Sequence, residues 1–375
     1  MHVVSLEKID VYDPKAVQAA LIALLDPLGG ISSFVRPTER VLLKPNMLYG
    51  KAPECAVTTH PEVLRGMIAL VKDAGGIPLV GDSPGFGNIE KVAEKSGMLR
   101  IIKEMGAELV EFAETVEVAG TGLFKSIELA RPYLEADRII NLPKLKTHEM
   151  MTMTCAVKNL FGAVVGHAKA GWHLKAGADR EMFAQMLLEI YLLRPPDLTV
   201  VDAITAMEGN GPGSGDPLHV GLLLAGVNPV AIDVIAGEIA GIPKKLLYVE
   251  GAARKMGLDG SDRQTIRTTG VPLHDARVRP FRLAPIGDIQ FGLPLFLKNR
   301  LRHYLTTRPC SIPEKCQLCS ICVDACPPRA MAIRDGKLVF DYHRCIRCFC
   351  CRELCPEDAL EVKSGALLRI IKKFR

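Results

Sequence analysis

The sequence predicts an α/β fold: a mainly parallel, doubly wound sheet domain over residues 1–270, followed by a small α+β domain over 311–362. Three observations predict it. Through the first 270 residues short apolar runs alternate with helical patterns, which is the rhythm of βαβ units. Those runs are continuously apolar instead of alternating, as strands covered on both faces should be. Beyond residue 300 the composition changes, and ten of the twelve cysteines lie there. Eight of them have ligand spacing, so they are read as a metal scaffold and not as disulfides.

Taken in order, Val3–Ile9 reads as a strand. Pro14–Leu25 reads as a helix, with Asp13 as N-cap and Pro14 at the first position. Arg40–Leu43 is a strand ending at Lys44-Pro45-Asn46. Pro61–Ala74 is a helix capped by Thr59 or His60 and closed by Gly75-Gly76. Ile77–Val80 is a strand ending at Gly81-Asp82-Ser83, and Arg138–Leu142 another, ending at Pro143-Lys144. A helix follows through Val157 and Phe161, and a long one covers Asp179–Leu193. Leu198–Val201 and Val220–Leu224 are strands, and Pro229–Ala240 is a helix. Residues 271–310 are punctuated by prolines and read as a linker. Basic amphipathic patterns at 297–305 and in the 363–375 tail either pack on the protein or meet a membrane surface, and packing is favoured because both are short.

Hydrophobic content of 48% and charged content of 24% place the chain among globular proteins. A net charge of +5, with no basic stripe interleaved with aromatics, argues against nucleic acid as a partner. No basic leader and no run of eighteen apolar residues is present in the sequence given. Thiolate usage implies a reducing compartment, so a cytoplasmic location is expected.

The cysteines form two matched runs. The first is Cys316-x-x-Cys319-x-x-Cys322-x-x-x-Cys326-Pro327, and the second Cys345-x-x-Cys348-x-x-Cys351-x-x-x-Cys355-Pro356. This spacing specifies a pair of 4Fe–4S clusters in which each fourth cysteine crosses to the other cluster. Cys316, Cys319, Cys322 and Cys355 are therefore assigned to one cluster, and Cys326, Cys345, Cys348 and Cys351 to the other. Zinc sites use paired knuckles instead of two runs of four. Cys310 and Cys350 fall outside the pattern, and Cys55 and Cys155 read as small buried residues.

The remaining chemistry collects after strand ends, where open α/β sheets place ligands. Lys144, Lys146 and His148 alternate along one extended segment, and Lys158 and Asn159 open the next helix. His148 is the candidate acid–base or metal-binding residue. Lys158 is the candidate for anion binding or cofactor attachment. Lys44, Asn46, Asp82 and Ser83 follow two other strands and are candidate cofactor-binding residues. Asp202, Glu208 and Asp216 bracket a glycine-rich stretch; they suit a hard cation such as Mg2+ and equally suit capping turns. Lys44, Asp82, Lys144, Lys146, His148, Lys158, Asp202 and Glu208 are expected to converge on one cleft. No stretch matches a P-loop or a dinucleotide fingerprint.

With these pieces placed, the chain resembles the family catalogued as domain of unknown function 362, fused to a two-cluster bacterial ferredoxin-like domain. Lys44-Pro45-Asn46, Gly81-Asp82-Ser83, Lys144 to His148, Val157 to Gly162 and Asp202 to Gly215 carry the resemblance. More faintly, His148 through Lys158 to Gly166 is similar to the segment of nickel-pincer lactate racemases that holds a catalytic His and a cofactor-tethering Lys. On that likeness Lys158 would tether a cofactor, and His167 or His173 would stand at a nickel-binding position. The chain departs from it in lacking the glycine-rich run between the His and the Lys.

Two functions are expected from the residues. One is an iron–sulfur oxidoreductase, exchanging electrons between its clusters and an unidentified small molecule at the strand ends, with an electron donor or acceptor protein as partner. The alternative is an electron carrier or assembly module that docks an acidic partner and has no chemistry of its own.

Overall fold

A computed structural model describes residues 1–85, 87–166, 168–169, 171–172, 179–284 and 307–364. The expectations at His167, at His173, at 297–305 and in the tail beyond 364 lie outside the described residues. The front region is a mixed α/β fold around one large, mostly parallel sheet. Its strands are β1 (His2–Lys8), β2 (Arg40–Pro45), β3 (Ile77–Asp82) and β4 (Glu108–Glu111). After a hairpin of β5 (Thr115–Ala119) and β6 (Ser126–Ala130) come β7 (Arg138–Leu142), β8 (Lys144–His148), β9 (Thr152–Thr154), β10 (Leu198–Glu208), β11 (Asp216–Gly226) and β12 (Ile266–Gly270). The sheet order is β12-β1-β11-β10-β7-β2-β3-β4, with β8 branching from β10 and β9 from β8. Only β11 and β9 run against the rest.

Both faces are covered, as the unbroken apolar strands require. Val41 and Leu43 point into one core with the helices Pro14–Leu25 and Pro61–Asp73. Leu42 between them points into the other, with the helix Arg180–Leu193. The caps follow local chemistry: Asp13 accepts from Ala16 N–H at 2.9 Å, and His60 Nδ1 from Glu62 N–H at 3.2 Å. One expectation changes. Asp202 to Glu208 is not a loop after a strand but the second half of β10, which turns back through the glycines into β11. The buried apolar run of Ala203, Ile204, Ala206 and Met207 carries the strand past Asp202.

The cysteine region pairs β13 (Thr307–Ser311) with β16 (Leu360–Ser364), and β14 (Met331–Arg334) with β15 (Lys337–Phe340). Its short helices, Ile321–Asp324 and Cys350–Glu353, start 29 residues apart. Among the described residues no helix is long and apolar enough to cross a membrane.

A buried acid pair predicts a pH dependence of stability. Asp233 accepts from Ala156 N–H at 2.7 Å and Val157 N–H at 3.1 Å. Burial raises its carboxyl to about 7 and that of Glu250 to about 8. A raised acid pKa means that the folded state binds more protons than the unfolded state. Stability should therefore fall as pH climbs from about 4 to about 8 and then level. Glu250→Gln removes its share, so a gain on the order of 1–3 kcal/mol is expected at pH 8 and none at pH 4. Urea denaturation across that range measures it; an unchanged slope contradicts the assignment.

Candidate functional site

The parallel strands β2, β3 and β7 end side by side, and the polar residues after them interlock. Lys44 Nζ lies 2.7 Å from Asp82 Oδ1 and donates to the Asn159 carbonyl at 2.6 Å. The other Asp82 oxygen accepts from Met47 N–H at 2.8 Å. Burial lowers the Lys44 pKa, and the Asp82 charge opposes that shift. Asn159 joins three chain segments by donating to Asn141 Oδ1 at 2.8 Å and to the Lys44 carbonyl at 3.2 Å, and by accepting from Asn46. Lys146 Nζ reaches Asn46 Oδ1 at 2.8 Å and the Val57 carbonyl at 2.7 Å. A Cβ on Gly162 would overlap Asp82 Oδ1 and Lys44 Nζ, so only glycine lets this helix approach the ion pair.

Above this network lies a cleft of about 350 Å³. One wall is the strand-end network: Asn46, Asp82, Ser83, Lys146, Lys158 and Asn159. The opposite wall is the cysteine region, through Ile321, Asp324, Ala325, Cys350 and Leu354. The two regions are fastened by an Arg352–Glu149 ion pair at 2.8 Å, both side chains buried, and by a more exposed Lys51–Asp358 pair at 2.9 Å. Ser214 Oγ also donates to Asp358.

The eight expected residues do not all converge here. Lys144 and Asp202 form a separate buried group, 2.8 Å apart, that Tyr12 closes by donating to Asp202 at 2.8 Å and accepting from Lys144 at 3.0 Å. The Tyr12 ring stacks on His60 at 3.5 Å, and burial draws the His60 pKa down to about 4. These groups satisfy one another and pin the first loop to the sheet. The separation from Lys146 follows from an irregular register, in which β8 pairs Asp202 with Lys144 but Met207 with Lys146.

His148 is buried, its Nδ1 accepting from Met150 and Met151 N–H, and it does not line the cleft. Glu208 is held by Arg279 at 2.6 Å and Arg282 at 2.8 Å, and Asp216 by Arg282 at 2.8 Å. The Arg279 guanidinium foremost, with Arg282, lowers the Glu208 carboxyl to about 2. Asp202, Glu208 and Asp216 thus stand in two ion-pair networks and are not gathered for a cation. Sequence reading missed Lys169, which lines the cleft, and Arg352, which fastens its far wall. Lys169 sits in a small-residue stretch after Gly166 that carries no motif.

In the cysteine region, burial foremost, then neighbouring Cys355, Cys319 and Cys316, pushes the Cys322 thiol up to about 12. Burial likewise raises Cys351, beside Cys348, Cys345, Cys322 and Cys326. The backbone repeats itself around them. Leu318 and Arg347, Ser320 and Phe349, and Arg329 and Asp358 all have positive φ, each pair 29 residues apart. Ala330 N–H donates to Cys326 Sγ and Ala359 N–H to Cys355 Sγ, both at 3.2 Å. Left-handed turns at non-glycine residues cost of order 1–2 kcal/mol each, so six of them need a shared reason. Among the described residues no three His, Cys, Asp or Glu side chains close around one point as a single ion requires. A tetrahedral zinc would bring its four sulfurs to about 3.8 Å of one another, closer than the thiolates bound outside the iron corners of an iron–sulfur cube.

A model of the family described as "Domain of unknown function (DUF362)" matches residues 41–238. The chain belongs to that family. The family match begins at β2 and ends in the helix Pro229–Ile239, so it takes in the whole strand-end network and stops short of the two cysteine runs. The chain is also 40% identical over 305 residues to the "Thylakoid-associated protein sll1697" of Synechocystis, a match covering 80% of this chain and 94% of that protein. Among solved structures, the lactate racemase apoprotein from Thermoanaerobacterium thermosaccharolyticum is similar at 12% identity and a TM-score of 0.40, over 60% of this chain and 54% of that one.

Proposed function

We propose that the protein is an iron–sulfur oxidoreductase whose two 4Fe–4S clusters exchange electrons with a small molecule in the cleft. The observation that carries this reading is the cleft's construction. One wall is the strand-end network of the family domain. The other comes from the stretches between Cys319 and Cys326 and between Cys348 and Cys355. The cysteines fit the clusters: Cys316, Cys319, Cys322 and Cys355 for one, and Cys326, Cys345, Cys348 and Cys351 for the other. The same left-handed turns recur at the same step in both runs, and the amide donors to Cys326 and Cys355 would stabilise thiolate charge. When bound, the clusters supply one-electron chemistry. The chain supplies a cavity between them and the ligand, and the Arg352–Glu149 clamp that keeps the distance short.

The carrier reading puts electron exit on the outer surface instead of in the cleft. The relative's name concerns a thylakoid-associated protein. Carried to this chain, that association favours work against a membrane face, which the basic segments of the sequence would suit.

Blocking the cleft separates the two readings. The first carbon of a side chain at Gly85 would lie 3.1 Å from Leu354 and 3.2 Å from Leu48. Anaerobic wild type and Gly85→Leu, reduced with dithionite and desalted, would be mixed with the small-molecule fraction of a cell extract. The expected result is return of the oxidised visible spectrum in wild type and at least about tenfold slower return in Gly85→Leu at equal iron content. Equal rates would support the carrier and overturn the cleft.

A further inference from the structure

Three lysines from different elements line the cleft, Lys146, Lys158 and Lys169, against the carboxylates of Asp82 and Asp324. Lys44 already neutralises Asp82 from behind, so the cleft is positive. The rest of its wall is largely apolar, with Leu48 and Phe161 facing Ile321 and Leu354. Lys169 donates to the carbonyls of Ser83 and Pro84. An ammonium has three donors, which leaves one for a ligand.

The same walls argue for the kind of anion. The Ser83 and Pro84 carbonyls and the Asp324 carboxylate repel a phosphate's double charge and three acceptor oxygens more than a single carboxylate. We propose that the cleft binds a small carboxylate with an apolar body, the carboxylate held by Lys158 and Lys169 and the body lying between Leu48, Phe161, Ile321 and Leu354. The proposal rests on the electron-transfer reading only in taking this cleft as the ligand's place.

Binding should depend on pH. Burial draws the Lys169 ammonium down to about 7; Asp82 opposes the shift, and Lys44 and Lys158 add to it. Among the described residues, Lys146 and Asp324 complete the charged groups facing the cleft. Lys169 is a cation below that value and neutral above it.

The test uses the anaerobically purified full chain and three probes with one six-carbon body: hexanoate, hexyl phosphate and hexylamine. Titration calorimetry at pH 6 and pH 8 gives the affinities. Hexanoate is expected to bind best, about tenfold more weakly at pH 8 than at pH 6, from loss of the Lys169 charge. Lys169→Met should weaken binding about tenfold at pH 6 and abolish the pH dependence, whereas Lys169→Arg should keep the pH 6 affinity at pH 8. Asp324→Asn should tighten binding severalfold, a gain that misfolding does not produce. Preference for hexylamine or hexyl phosphate, or wild-type affinity in both Lys169→Met and Asp324→Asn, overturns the proposal. Iron content is read on each sample. Failure of hexanoate with iron in place removes the carboxylate proposal alone, and hexanoate binding by a chain that takes up no iron removes the electron-transfer reading alone.

Discussion

Purified without oxygen, the protein is expected to carry about eight irons and eight sulfides per chain, and Cys322→Ala about half of each. Cys322 stands beside Cys316, Cys319 and Cys355, so its loss opens one cluster's set of four and leaves the other intact. Cys351→Ala should do the same from the other side, beside Cys345, Cys348 and Cys326. Cys350→Ala is the control, because it sits next to Cys351 but outside both sets. Burial raises the bare Cys322 and Cys351 thiols, a shift that a bound metal would oppose by favouring the thiolate. Unchanged iron in Cys322→Ala, or iron loss in Cys350→Ala, would contradict the assignment of ligands.

The second large effect is expected from the Lys44–Asp82 pair. Both side chains are buried, at 0% and 4% exposure. Lys44→Met takes the ion-pair partner from the buried Asp82 carboxylate and leaves it the Met47 amide, and should cost about 3–5 kcal/mol of stability. That is a large part of the 5–15 kcal/mol typical of a folded domain. Removing both charges in Lys44→Met/Asp82→Leu should recover much of the loss, since no lone charge then remains buried. Lys51→Met, breaking a pair that is 22% and 35% exposed, should cost no more than about 1 kcal/mol. Chemical denaturation of wild type and the three variants measures the set. Equal losses in the single and double variants of the buried pair would show that packing, not charge, decides.

The elements that could be read from the sequence were those with a local cause. Asp13-Pro14 starts a helix and Gly75-Gly76 ends one, and both are seen. The apolar runs at Arg40, Ile77, Arg138 and Leu198 could only be strands buried on two faces. Asn46, Asp82, Ser83, Lys146, Lys158 and Asn159 were found as lining residues because each follows a strand or opens the adjoining helix. What failed had non-local causes. Lys144 and Lys146 are two residues apart on one strand, yet the irregular register of β8 on β10 sends them to different partners. The arginines that capture Glu208 come some seventy residues later in the chain, beyond any periodicity. His148 lies on the expected strand, but the turn at Met150 and Met151 folds over its ring. Lys169 gained its role from the loop at Ser83, which nothing in its own neighbourhood announces.

Electron paramagnetic resonance of the dithionite-reduced chain tests the central claim most directly. Two 4Fe–4S clusters seated as Cys322 and Cys351 place them would take up two electrons per chain. Their spectrum should be broadened by mutual coupling, because in the assigned ligand sets each run's fourth cysteine crosses to the other cluster and holds the two together. A ligand in the cleft should alter that spectrum, since the cleft wall includes residues between the cysteines of both runs. Two coupled spins that respond to cleft ligands are the predicted result. A chain that takes up no electrons, or whose cysteines hold zinc, would contradict the account.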